Sequence, residues 1–111
     1  MSVLTVTGKI NEKELGIITP HEHVLIDLRN QFTEFSEVTK KVLSESKVSL
    51  DNLDVLSRNP YAIKDNLILG DIKTAQEELL YFKKAGGKTI VYATSKGIGR
   101  DPEALRDLAS A

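Results

Sequence analysis

Two histidines, the only two in a chain of 111 residues, stand one residue apart in Thr19-Pro20-His21-Glu22-His23-Val24. Neutral imidazole is a good ligand for zinc and related divalent ions, at roughly 2.0–2.1 Å from the metal. In an extended segment, residues i and i+2 project from the same face, so His21 and His23 can share one ion while Glu22 points the other way. Ile17-Ile18-Thr19 before the pair and Val24-Leu25-Ile26 after it form a near-continuous apolar run, as in strands buried on both faces. The pair then falls at the end of a strand, where α/β enzymes assemble their sites. Adjacent histidines also occur as surface or capping residues, and spacing alone leaves that alternative open. A catalytic zinc takes three or more protein ligands. Asp27 and Glu34 in the following loop lack ligand spacing, so these residues do not assemble a complete site.

The elements that must position the pair are legible to different degrees. Val3-Leu4-Thr5-Val6-Thr7 alternates and is β-branched, and Gly8-Lys9 turns it toward Ile10, which suggests a short opening hairpin. Residues 29–70 carry Phe32, Phe35, Val38, Val42 and Leu43 at rough helical spacing, repeatedly interrupted by polar residues. They read as a long connection with one or two short helices, and so long a connection in a compact domain is more often functional than idle. Asp71 is a candidate N-cap for a helix with Ile72, Ala75, Leu79, Leu80 and Phe82 on its apolar face. Lys83-Lys84 and Gly86-Gly87 supply its end. Lys88 to Thr94 follows as a strand buried on both faces apart from its ends. After the loop Gly97-Ile98-Gly99-Arg100, Asp101 and Pro102 open a last helix with Leu105, Leu108 and Ala109 on one face. Strand, long loop, helix, strand, loop and helix make a parallel α/β sheet. The last helix stops without a Gly or Asn cap, so the chain is expected to be part of something longer.

Two phosphate-binding motifs fail on spacing. Gly87-Lys88-Thr89 resembles the tail of a P-loop, but the required earlier glycine falls at Phe82 and the element order is reversed. Gly97-Ile98-Gly99 follows a strand and opens a helix, but the third glycine of a dinucleotide fingerprint falls at Pro102. A tight turn is the simpler reading there, with anion binding at the helix start as the alternative. Fifteen basic against 16 acidic side chains, a net charge of -1, exclude the charge footprint of a nucleic-acid binder or a polybasic membrane anchor. No run approaches the roughly 18 apolar residues of a membrane span, and no secretory signal is visible. With zero Cys, disulfides and thiolate chemistry are absent; a cytoplasmic location is the default expectation.

Gly16-Ile17-Ile18-Thr19-Pro20-His21-Glu22-His23-Val24 resembles the first-strand signature of the phosphotriesterase family, within the amidohydrolase superfamily. A second stretch is similar to the first helix, second strand and second-helix entry of the same family. It comprises Glu78-Leu79, Phe82-Lys83, Ala85 to Val91, then Gly97 to Pro102 and Leu105. Together these cover about half the chain in compatible order.

The resemblance implies the N-terminal part of a (β/α)8 TIM barrel with a short N-terminal β-hairpin. Residues 1–111 would hold the hairpin, the first strand, a long loop, the first helix, the second strand and the start of the second helix. His21 and His23 match the family's HxH pair, which implies that they bind the more buried of two divalent metals, zinc by expectation. The other family ligands (a carboxylated Lys, two later His and an Asp) have no counterpart here. The implied activity is hydrolysis of lactones, other carboxylic esters or phosphotriesters by a metal-activated hydroxide. The implied partner is a small-molecule substrate, with a homodimer possible and no nucleic acid or membrane. A whole barrel needs about 250 residues, so the chain alone is expected to be inactive. The alternative is a short non-catalytic α/β interaction module derived from a barrel. One departure stands out: where the family's second strand often carries Asp, this chain has Tyr92, which would alter the local pocket or simply pack.

Overall fold

The computed structural model describes residues 1–111. Strands β1 (Ser2–Thr5) and β2 (Gly8–Asn11) form the expected antiparallel hairpin, with Val3 opposite Ile10. Strand β3 (Ile17–Glu22) then runs into the histidine segment. A two-residue strand β4 (Ile26–Asp27) opens the long excursion, which carries α1 (Val38–Ser44) and α2 (Leu53–Arg58) as its two short helices. The excursion closes at β5 (Ile68–Leu69), which pairs antiparallel with β4, and the Leu28 amide extends that ladder to the Leu67 carbonyl at 2.7 Å. Helix α3 (Ile72–Lys84), strand β6 (Gly87–Tyr92) and helix α4 (Pro102–Ser110) complete the chain.

Strands β3 and β6 pair in parallel and make the α/β scaffold. Their register shifts between Thr19 and Glu22: Thr19 stands opposite Ile90, but Glu22 stands opposite Tyr92. Three steps on β3 against two on β6 constitute a bulge. Pro20, which has no amide hydrogen to give to a ladder, sits inside it.

The helix ends follow from local chemistry. Asp71 accepts from the Thr74 amide at 2.7 Å, and Asp101 accepts from the Ala104 amide at 3.0 Å, with Pro102 in the first turn of α4. After α3, Gly86 takes φ +98° and its amide bonds the Lys83 carbonyl at 3.0 Å, the left-handed exit that glycine permits. Gly87 is required for a different reason: a Cβ there would lie 2.2 Å from the Phe82 ring.

Six of the ten buried residues form two apolar clusters of three. Leu25, Ala104 and Leu108 meet Val24 and the α3 residues Ala75 and Leu79. Leu56, Ala62 and Ile63 meet Phe35, Leu43 and Val55, all within the excursion. The radius of gyration is 17.1 Å, against about 13 Å for a compact domain of this length.

Three expectations are corrected. Neither β3 nor β6 is buried on both faces: Ile17 is 63% exposed, Ile18 41% and Val91 49%. A sheet of only two strands leaves edges and one face without neighbours. Ile72 and Leu80 are exposed, so α3 buries a narrower stripe of Ala75, Leu79 and Phe82. In α4 it is Ala104, not Ala109, that joins Leu108 in the core, because α4 meets Leu25 and α3 along a stripe four residues apart.

Candidate functional site

His21 lies near the end of β3 and His23 just beyond it. Their rings stand edge to face, 5.3 Å apart between centroids and 75° between planes. The structure thus brings together the two histidines singled out in the sequence. Their settings differ. His21 is exposed, whereas His23 is half-buried and its Nδ1 lies 2.8 Å from the Thr94 hydroxyl. Thr94 is 2% exposed and lies just past β6. Its hydroxyl also donates to the Leu25 carbonyl at 3.3 Å, and the Tyr92 hydroxyl donates to that same carbonyl. One residue beyond the strand, the Ala93 amide bonds the Glu22 carbonyl at 2.9 Å and carries the β3–β6 pairing up to the site.

Tyr92, the departure noted in the sequence, therefore packs with its phenol turned to the backbone that follows His23. Sequence reasoning missed Thr94. Its signal is slight: a hydroxyl residue just after a strand that neighbours the histidine strand, with only the parallel pairing to bring it across.

Glu22 and His23 both line a cleft of about 470 Å³ between the sheet and α3, together with Thr19, Asp71, Glu78 and Leu79. Nowhere in residues 1–111 do three or more His, Asp or Glu side chains gather as a metal-holding group. Asp27 is held instead by Arg29, whose Nε lies 2.9 Å and terminal nitrogen 2.6 Å from the two carboxylate oxygens. That side-chain bond, with the Arg29 amide, lowers the Asp27 pKa to about 2. Glu34 pairs with Lys41 at 3.4 Å. Two neutral imidazoles at the end of a parallel strand fit a divalent metal as part of its ligand set, and these residues supply no third ligand.

The glycine loop after β6 is a tight turn. Lys96–Ile98 form one 3-10 turn and Gly99 takes φ +91°. The Ala104 amide at the start of α4 is taken by the Asp101 carboxylate, whose charge opposes an incoming anion. The alternative of anion binding there is not supported. Arg100 is exposed at the surface.

The sequence model of the phosphotriesterase family matches residues 1–111 in full. The chain is 38% identical over 112 residues to the N-acetyltaurine hydrolase of Danio rerio, covering 96% of this chain and 31% of that protein. It is 36% identical over 110 residues to a phosphotriesterase-related protein of Nematostella vectensis, with 96% and 31% covered. Among solved structures it superposes on a resiniferatoxin-binding protein from Rhodobacter sphaeroides with TM-score 0.91 and 35% identity, over 98% of this chain and 30% of that one. The chain spans about a third of the length of the relatives it matches. It belongs to the phosphotriesterase family.

Proposed function

We propose that residues 1–111 open a metal-dependent hydrolase barrel, and that His21 and His23 are two of its metal ligands. The observation that carries this reading is the pair of imidazoles, 5.3 Å apart, at the carboxyl end of a parallel strand. The exposed apolar residues of β3 and β6 support it, because the rest of a barrel would cover Ile17, Ile18 and Val91. When bound, a zinc-type ion supplies Lewis acidity and makes water nucleophilic at neutral pH.

The chain's own part is to present ligand nitrogens from the carboxyl end of a parallel strand. His23 is anchored by its Nδ1, which leaves Nε2 as the coordinating atom, and His21 completes the pair from the end of β3. Glu22, which lines the cleft against α3, is not assigned to that ligand set. The excursion of residues 29–70, anchored beside the site by Asn30 Nδ2 on the Gly97 carbonyl at 3.2 Å, shapes access for a small-molecule substrate. The bond cleaved is an acyl or phosphoryl bond: a lactone, another carboxylic ester, a phosphotriester, or, as the name of two relatives suggests, the amide of N-acetyltaurine.

The test uses the full-length protein, with metal content by elemental analysis and hydrolysis of those four substrate classes. His21→Ala and His23→Ala are each expected to lose bound metal and at least about 100-fold in turnover, at the upper end of what disturbing a metal site costs. Full metal occupancy in both variants would overturn the assignment, and the substrate panel separates ester from amide specificity.

A further inference from the structure

The Thr94 hydroxyl touches two groups, and its proton can serve only one of them. A hydroxyl offers one O–H donor and two acceptor lone pairs. The Leu25 carbonyl is only an acceptor, so the 3.3 Å contact requires Thr94 to donate to it. The 2.8 Å contact to His23 Nδ1 is then a hydrogen bond only if the imidazole carries its proton on Nδ1 and donates it to Thr94 Oγ1. Tyr92 donates to the same carbonyl and uses its second lone pair without competing, so Leu25 is held from two sides. The chain of donors runs one way, from His23 through Thr94 to Leu25, and is burial-protected at Thr94, which is 2% exposed. His21 makes no comparable side-chain bond, so only one member of the pair is fixed in this way.

We propose that Thr94 is a positioning residue that holds His23 as the Nδ1–H tautomer, with the Nε2 lone pair presented to a metal. The proposal rests on the metal-ligand reading of His23 given above. Free neutral imidazole prefers the opposite tautomer, with the proton on Nε2 and the coordinating lone pair lost from that atom. An imidazole ligand whose other nitrogen donates to a fixed acceptor is held both in tautomer and in ring orientation, and loss of such a partner typically costs 10- to 100-fold in metal affinity, roughly. The usual acceptor is a carboxylate or a backbone carbonyl; here a buried hydroxyl relays to a carbonyl instead.

The test is made on full-length protein in two measurements. The first is imidazole nitrogen NMR of the metal-free protein at about pH 8, where an ordinary histidine is neutral, with the His23 signals assigned by their absence in His23→Ala. Wild type and Thr94→Ser are expected to show Nδ1–H. Thr94→Val, of similar shape but without a hydroxyl, is expected to shift toward Nε2–H. The second is zinc affinity by competition with a chromogenic chelator, expected to fall about 10-fold or more in Thr94→Val and to return in Thr94→Ser. An unchanged tautomer in Thr94→Val overturns the proposal, and so does a changed tautomer with unchanged zinc affinity. Failure of the metal reading has a separate signature: His23→Ala itself leaves zinc affinity unchanged, and the tautomer measurement then decides the role of Thr94 alone. Tyr92→Phe, which leaves the Thr94 bonds intact, is expected to keep the Nδ1–H form; its loss there would assign the control to Tyr92 instead.

Discussion

The excursion between β4 and β5 and the strand unit of β3, α3, β6 and α4 solve the problem of burial in opposite ways. The excursion is built from local pieces and still encloses Ile63 completely, at 0% exposure, among Leu56, Ala62, Phe35, Leu43 and Val55. The strand unit contains the regular elements, yet its buried apolar set is only Leu25, Ala104 and Leu108, and its sheet shows Ile17, Ile18 and Val91 to solvent. The excursion supplies its own partners; the strand unit leaves apolar side chains of β3 and β6 without them. Regular secondary structure is therefore a poor guide to where this chain is self-sufficient. A long insertion closed at its base by paired strands behaves as a small folding unit, at a loop-closure cost that grows only slowly with length.

The strongest challenge to this contrast is Ile63→Ala. Truncating a fully buried isoleucine is expected to cost about 2–5 kcal/mol. Hydrogen exchange should show the loss in residues 53–67 while β3 and β6 keep their protection. Equal loosening of both regions would show that the excursion is not autonomous.

Gly87→Ala probes the other side. The added methyl meets the Phe82 ring, and forced repacking of this kind costs roughly 1–3 kcal/mol. Its effect should appear at β6 and α3 and leave the excursion untouched. A neutral result would mean that Phe82 has room to move. Asp101→Ala removes the cap of α4, with an expected loss of about 1 kcal/mol visible as faster exchange of the Ala104 amide. No change would show that α4 is held by Leu108 packing alone.

The smallest effect concerns the clasp at the base of the excursion. Arg29 lowers the Asp27 pKa to about 2, from an ordinary 3.8. A depressed carboxylate contributes stability above its unfolded value and loses it as pH falls through its folded value. The Asp27–Arg29 pair should thus hold unchanged from neutral pH to about 4 and release toward pH 2. Carboxyl carbon NMR should place the Asp27 midpoint near 2, and Arg29→Ala should return it toward 3.8. A midpoint already ordinary in the wild type would remove the clasp from the comparison. Asp65, inside the excursion, is shifted in the same direction by its bond to Lys47 and by the Val48 amide.

The two regions were also unequally legible in the sequence. Asp71, Asp101, Pro102 and Gly86 act through neighbours a few residues away, and caps of that kind are visible in the order of residues. The histidine pair was visible for the same reason, being a matter of spacing along one strand. The Thr94 bond spans 71 positions and depends on which strands pair, a fact no local pattern carries. Exposure was misjudged at Ile17, Ile18 and Val91 because apolar character tells what a strand needs to cover, not whether residues 1–111 provide the cover. Leu56, Ala62 and Ile63 carry no such signal in the sequence, because they come from a helix and turns too short to show a period.

The bulge in β3 makes residue count, rather than residue type, the determinant of which way the site faces. Thr19 and Glu22 line the same cleft because one additional residue separates them from the regular alternation. Deleting Pro20 would remove the additional residue and restore regular alternation, with Glu22 still on the Thr19 side and His21 opposite. The composition of the strand would hardly change.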